Sequence, residues 1–235
     1  SGLSYLRRVL DIGGVELSIE DLRARRGRLR SSITPLHLDN ITQRDELFHR
    51  AIHVAGDLHV EGNLVLHDAE IQVLIVDGNL HVDGRLEDRD DEEIESLVIV
   101  GGNLEARDLI TYGTLEVHGN LIVPGHLLLL DNACIAHIEG DIDAGFILDQ
   151  YHHCAVDGEV RCPLVVMDSA RIESDKPVEF LDFGSELAGH LDHALLEGEE
   201  DDSEPHGYYV DWVDVEAIAE RVRAGQRIRR AASQG

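Results

Sequence analysis

The chain has 235 residues, of which 47 are acidic and 20 basic, giving a formal net charge of −27. That length and a hydrophobic content of 43% provide for one domain with a substantial core plus appendages, and set disorder aside as the default. The charge disfavours DNA, RNA and anionic membranes as partners, and no run approaches the roughly 20 apolar residues of a membrane-spanning helix.

Aromatic residues make up only 4%, so Leu, Val and Ile must fill the interior. Cys134, Cys154 and Cys162 are an odd, widely spaced set that does not form a disulfide framework. The opening Ser1-Gly2-Leu3 lacks the charged-then-apolar pattern of a signal peptide. A reducing cytoplasm is the simplest compartment for such a chain.

Residues 1–50 carry nine arginines against seven acids and contain no repeat. Ser18 is placed to cap a helix over Ile19–Arg30, with Asp21 near its positive end. Arg23, Arg25, Arg26, Arg28 and Arg30 crowd that stretch; a solvated helix face near an acidic body explains them better than nucleic-acid binding. This region is expected to cap the first coil of a repeat fold, because such folds need polar ends that stop edge pairing.

Residues 51–183 carry that internal repeat. The phrase is Gly, a polar residue, then Leu followed by alternation, as in Gly56-Asp57-Leu58, Gly78-Asn79-Leu80, Gly102-Asn103-Leu104 and Gly119-Asn120-Leu121. Looser copies are Gly140-Asp141-Ile142 and Gly158-Glu159-Val160, and the leading glycines lie 17 to 24 residues apart. Period-two alternation predicts short strands with one side chain inward and the next outward. Gly-Asn and Gly-Asp pairs suit corners with positive φ. Strands so short bury a face only if successive turns of chain stack, which is the logic of a solenoid. A second phrase, His67–Ile71, Asp131–Ile135 and Asp168–Ile172, reads as another corner and strand. The expected fold is an all-β, parallel, right-handed β-solenoid of five to six irregular coils, with helical caps at both ends. An antiparallel sandwich of short strands is the competing architecture. Six-residue steps such as 113 to 119 to 125 match hexapeptide left-handed helices but do not persist.

Glu87–Glu95 is too charged for a rung and is expected to loop out between the second and third coils. In residues 184–235 the repeat is gone. Val178–Phe183 reads as a last strand, Glu186–Leu196 as a short helix, and Glu197–Pro205 as a mobile acidic segment. Tyr208, Tyr209 and Trp212 then concentrate aromatic character, either as the plug of the last coil or as exposed anchors for a partner. Asp214 opens an amphipathic helix with Val215, Ile218, Ala219 and Val222 on one face and Gly225 at its stop. The tail Arg227–Arg230 is expected to fray.

Fourteen histidines raise a metal reading. The tightest group, His152-His153-Cys154 with Cys162, and Cys134 with His137 a coil away, lacks zinc-type spacing. His59 and His81 occupy equivalent outward positions and read as an exposed ladder. No nucleophile elbow, phosphate loop or dinucleotide fingerprint is present. No catalytic residue, metal or cofactor is therefore assigned.

The run GDLHVEGNLVL through GTLEVHGNLIVPGHL, residues 56–127, resembles the glycine-turn repeats of bactofilin-type polymer-forming proteins. That resemblance implies end-to-end assembly, which capped ends would block. Acidic GNL-type solenoids also resemble the immunity proteins of bacterial polymorphic toxin systems. On that resemblance the protein is expected to be non-enzymatic and to occlude a basic toxin domain, a nuclease or ADP-ribosyltransferase. Its contact residues are expected in the insertion (Asp88, Asp90, Asp91, Glu92, Glu93) and the acidic segment (Glu199, Glu200, Asp201, Asp202). A self-assembling scaffold is the alternative, and a hexapeptide-type metal-dependent or acyl-transfer enzyme the second.

Overall fold

A computed structural model describes residues 12–25, 34–43, 48–88, 95–130, 135–168, 172–204 and 206–230. After β1 (Val15–Leu17), α1 (Ile19–Arg25) and α2 (Thr34–Gln43), the chain enters a parallel β-solenoid of about six coils. The first coil holds β2 (Arg50–Val54), β3 (Leu58–Val60) and β4 (Leu64–Val65). The second holds β5 (Ile71–Val76) and β6 (Leu80–Glu87), and the third β7 (Leu97–Val100) and β8 (Leu104–Thr111). Then come β9 (Thr114–Val117) with β10 (Leu121–Leu130), and β11 (Ile135–Ile138) with β12 (Ile142–Gln150). The last turns are β13 (His153–Val156), β14 (Val160–Arg161) and β15 (Val165–Asp168), then β16 (Ile172–Ser174) and β17 (Leu181–Asp182).

Each coil contributes to two facing sheets. The first has the order β1-β2-β5-β7-β9-β11-β13-β16, the second β17-β15-β12-β10-β8-β6-β3, and among the described strands of these two sheets only β1 runs antiparallel to its neighbour. The alternation read from the sequence points Leu58, Leu80, Leu104, Leu121 and Ile142 inward as one stacked column. The second phrase ends as expected in a strand each time, since Ile71, Ile135 and Ile172 open β5, β11 and β16.

The corners work differently from expectation. Among the leading glycines only Gly56 has positive φ, at +116°. The others are held by stacking: a Cβ on Gly78, Gly102, Gly119, Gly140 or Gly158 would strike the Asx side-chain oxygen and glycine backbone of the preceding coil. That oxygen is in use. Asp57 Oδ1 accepts from the backbone N–H of Asn79 at 2.7 Å, Asn79 Oδ1 from Asn103 at 2.9 Å, and Asn103 Oδ1 from Asn120 at 2.8 Å. Asn120 and Asp141 continue the ladder to Asp141 and Glu159, each at 2.9 Å. The repeated Gly-Asx pair is thus one device. The glycine admits the coil below, and the Asx satisfies the corner N–H that no strand partner reaches.

The described elements before and after the repeat cover flanks of the solenoid. The α1 helix begins at a reciprocal box, with Ser18 Oγ accepting from Asp21 N–H and Asp21 Oδ2 from Ser18 N–H, both at 3.1 Å. Leu17, Leu22, Leu38 and Ile41 pack on Ala51, Val73, Ile75, Leu97 and Ile99, the outer face of the first sheet. β1 meanwhile covers the edge of β2. The α2 helix is absent from the sequence expectations; Pro early in a helix, as in Thr34-Pro35, is its one local signal.

On the opposite flank, Ile110, Leu128, Leu130, Phe146, Leu148 and Val166 form an apolar outer face on the second sheet. Two 3-10 turns (Ser185–Gly189 and His193–Leu195), β18 (Leu196–Glu200), β19 (Tyr208–Val213) and α3 (Val215–Arg223) cover it. Three sequence expectations fail on this flank, besides that for the acidic segment. The Glu186–Leu196 helix is replaced by the two turns. Only Leu181–Asp182 of the Val178–Phe183 strand pairs, while Val178 and Phe180 pack against the interior at the last coil. The tail is anchored, because Ile228 is buried in the flank and Arg229 donates to the Gly145 carbonyl at 2.7 Å.

The α3 helix forms as its sequence requires. Asp214 Oδ1 accepts from Ala217 N–H at 2.9 Å, and Ile218, Ala219 and Val222 are buried. Gly225 (φ +65°) ends it in a Schellman turn, with Gln226 N–H on the Arg221 carbonyl and Gly225 N–H on that of Val222.

Candidate partner-binding surface

The acidic residues singled out from the sequence separate into distinct places. Asp88 is 3% exposed and faces inward at the end of β6. Its carboxylate accepts from Thr111 Oγ1 at 2.6 Å and from the backbone N–H groups of Tyr112 and Gly113 at 2.7 and 3.1 Å. Burial pushes its pKa up to about 6, against the pull of those donors and of Ser96. Asp88 is therefore a structural clamp on the next coil and offers no surface contact. Asp90, Asp91, Glu92 and Glu93 lie outside the described residues. At the far side of the insertion, Glu95 meets His37 of α2 and accepts from Thr114.

The acidic segment is an ordered hairpin rather than a mobile loop. β18 and β19 pair antiparallel, with Glu197 opposite Trp212, Glu199 opposite Tyr209 and Glu200 opposite Tyr208. The hairpin holds because Leu196, Val210 and Val213 are buried in the flank cluster, and because Asp201 Oδ1 accepts from Ser203 at the turn. Sequence reasoning missed it because charged residues dominate β18, and the aromatic and β-branched content of β19 was the one strand signal present.

Its exposed side is mixed in character. Glu197, Glu199, Glu200 and Asp202 are exposed, and Asp201 is half-buried. Tyr209 and Trp212 are 42% and 37% exposed, in a chain whose described large apolar side chains are otherwise almost all covered. Trp212 is braced edge-on by Phe183 at 5.6 Å, and Tyr208 packs inward beside His193 at 4.6 Å. The aromatic cluster is thus divided. Tyr208 serves as the plug, while Tyr209 and the braced Trp212 present their rings to solvent beside carboxylates.

The cysteine and histidine group near 152–162 is not assembled into a site. His152 is fully buried, its backbone N–H on Asp149 Oδ1 at 2.9 Å, while Cys154 faces the solenoid core, where burial raises its thiol pKa well above the ordinary value. Cys134 lies outside the described residues. Among the described residues, no helix is long and apolar enough to cross a membrane. No protein-family model, curated protein or solved structure matches this chain.

Proposed function

We propose that the protein is a non-enzymatic, cytoplasmic inhibitor of the immunity type, which occludes a basic toxin domain such as a nuclease or ADP-ribosyltransferase. The observation that carries this reading is the β18–β19 hairpin, where Tyr209 and Trp212 stand exposed beside Glu197 and Glu199. Rigid aromatic rings are the side chains most often found as binding anchors. Surrounding carboxylates steer a basic partner and orient its approach. A net charge of −27 extends that field well beyond contact, and repels the nucleic acid with which a nuclease would otherwise associate.

The test is affinity capture from the native host with the eluate sized and identified, followed by co-expression. The expected partner is one basic protein, toxic alone and harmless with this chain. Trp212→Ala with Tyr209→Ala abolishes protection while leaving the fold intact. Association slows as salt rises. Protection that survives the double variant, or binding indifferent to salt, contradicts the reading.

One observation favours the bactofilin-like scaffold as a second reading. The C-terminal elements pack on a flank, so among the described residues β16, β17 and β3 end their sheets without a further strand. Short edge strands bearing Glu173 and Asp182 resist casual pairing, yet leave open a route for coil-on-coil stacking. Sedimentation over a wide concentration range separates the two: growing polymers support the scaffold, and a constant small species supports the inhibitor.

A further inference from the structure

The outer face of the second sheet carries a side-chain group on its first coils that the inhibitor reading does not use. His59 of β3 and His81 of β6 are register partners in adjacent parallel strands, with ring centroids 4.9 Å apart. Asp83 lies two residues beyond His81 and so on the same face. Its Oδ1 is 2.8 Å from His59 Nε2 and 3.0 Å from His81 Nε2. One ligand atom from each of the three residues lies within 4.8 Å of the others.

A second observation points the same way. Glu105 is the register partner of His81 on β8, and its Oε2 is 3.2 Å from His81 Nδ1. A carboxylate accepting from one ring nitrogen holds a metal-ligating imidazole in the tautomer whose other nitrogen offers its lone pair. Glu105, at ion-pair distance from Nδ1, therefore lies where an outer carboxylate would take up that role behind a ligating histidine.

The geometry points to a surface site for a divalent first-row transition-metal ion such as Zn²⁺, ligated by His59 Nε2, His81 Nε2 and Asp83 Oδ1, with Glu105 as the positioning residue. Two imidazoles and one carboxylate suit zinc, nickel or copper, whereas calcium and magnesium prefer oxygen ligands throughout. Ligands about 2.0–2.2 Å from a tetrahedral ion sit a few tenths of an ångström farther apart than these hydrogen-bonded atoms. The three side chains, 57%, 43% and 46% exposed, have room for that adjustment. Their exposure also leaves the remaining coordination positions to water or to a donor from another molecule. The backbone beneath is rigid, since Asp57 ties the corner of the first coil to that of the second just before both histidines.

Titration of the full chain with ZnCl₂ by calorimetry tests this site, in a non-coordinating buffer at about 0.15 M salt to screen the diffuse acidity. Wild type is expected to bind one ion with a saturable isotherm. His59→Ala with His81→Ala loses roughly 100-fold or more in affinity, and Glu105→Gln about 10-fold, the lower end for an outer-shell partner. Because these side chains are exposed, the metal-free variants should melt as wild type does, and that comparison is run alongside. Asp83→Asn provides an independent third variant, also expected to weaken binding. A double variant that binds as tightly as wild type, or a wild type without saturable uptake, overturns the assignment.

Discussion

Glu87 and Arg223 lie 136 residues apart in the chain, yet Arg223 Nε donates to Glu87 Oε1 at 2.7 Å. The other oxygen of Glu87 is 2.7 Å from Arg85 Nε, and Arg85 Nη1 donates to the Arg223 carbonyl at 3.0 Å. Tyr112 joins the group by accepting from Arg223 Nη2 at 2.9 Å. The last residue of β6 is thereby fastened to the last turn of α3, and the C-terminal flank is tied to the second coil.

Removing Glu87 should be costly because two guanidinium groups then lose a buried counter-charge. Glu87→Ala is expected to destabilise by about 2–3 kcal/mol, somewhat below the range for fully buried pairs because Arg223 is partly exposed. Chemical denaturation measures this. Glu87→Gln, which keeps the shape and one acceptor, should lose less; equal losses would mean that the charge alone, and not the shape or packing of the side chain, holds the flank.

Asp88 predicts a pH dependence of definite sign. Its folded pKa of about 6 lies above the ordinary 3.8. The folded state therefore holds a proton that the unfolded state releases, and the resulting stabilisation is complete below about pH 3.8. It is lost as pH rises toward 6. Compared with Asp88→Asn, which cannot titrate, wild type should lose on the order of 2 kcal/mol between pH 4 and 6. Stability measured for both proteins across that range gives the difference; a flat difference contradicts the assignment.

The corner ladder makes a prediction that separates its two parts. Asn103→Ala removes an acceptor for the Asn120 N–H at an exposed corner and should cost about 1 kcal/mol. Gly119→Ala places a methyl against Asn103 Oδ1 and 2.8 Å from the Gly102 backbone, and should cost more than about 2 kcal/mol. Because that backbone stays in place, the double variant should remain strongly destabilised. A full rescue by Asn103→Ala would show that only the side chain constrains the glycine.

Cys154 should resist thiol reagents in the folded protein. It is 1% exposed, and burial raises its pKa far from neutrality. Alkylation followed by mass spectrometry, with and without denaturant, is expected to label Cys154 only after unfolding. Labelling at native conditions would mean that the sixth coil opens locally.

The amino-acid sequence by itself determined the solenoid. Period-two alternation between recurring Gly-Asx-Leu phrases leaves a short strand no way to bury its apolar side except by stacking on its own next copy, so coil length and inward columns follow from local pattern. The capping of α3 by Asp214 and its stop at Gly225 were legible for the same reason, since both act within a few residues. Tertiary structure alone decided what depends on distant surfaces. Whether Asp88 faced solvent turned on Thr111, Tyr112 and Gly113, one coil later. The run of acids at Glu197–Glu200 became a strand because Val210 and Val213 had an apolar flank to cover. The His59–His81 ladder was legible from equivalent positions in successive phrases, but that Asp83 and Glu105 join it was decided by how the side chains meet across stacked coils, which local pattern does not specify.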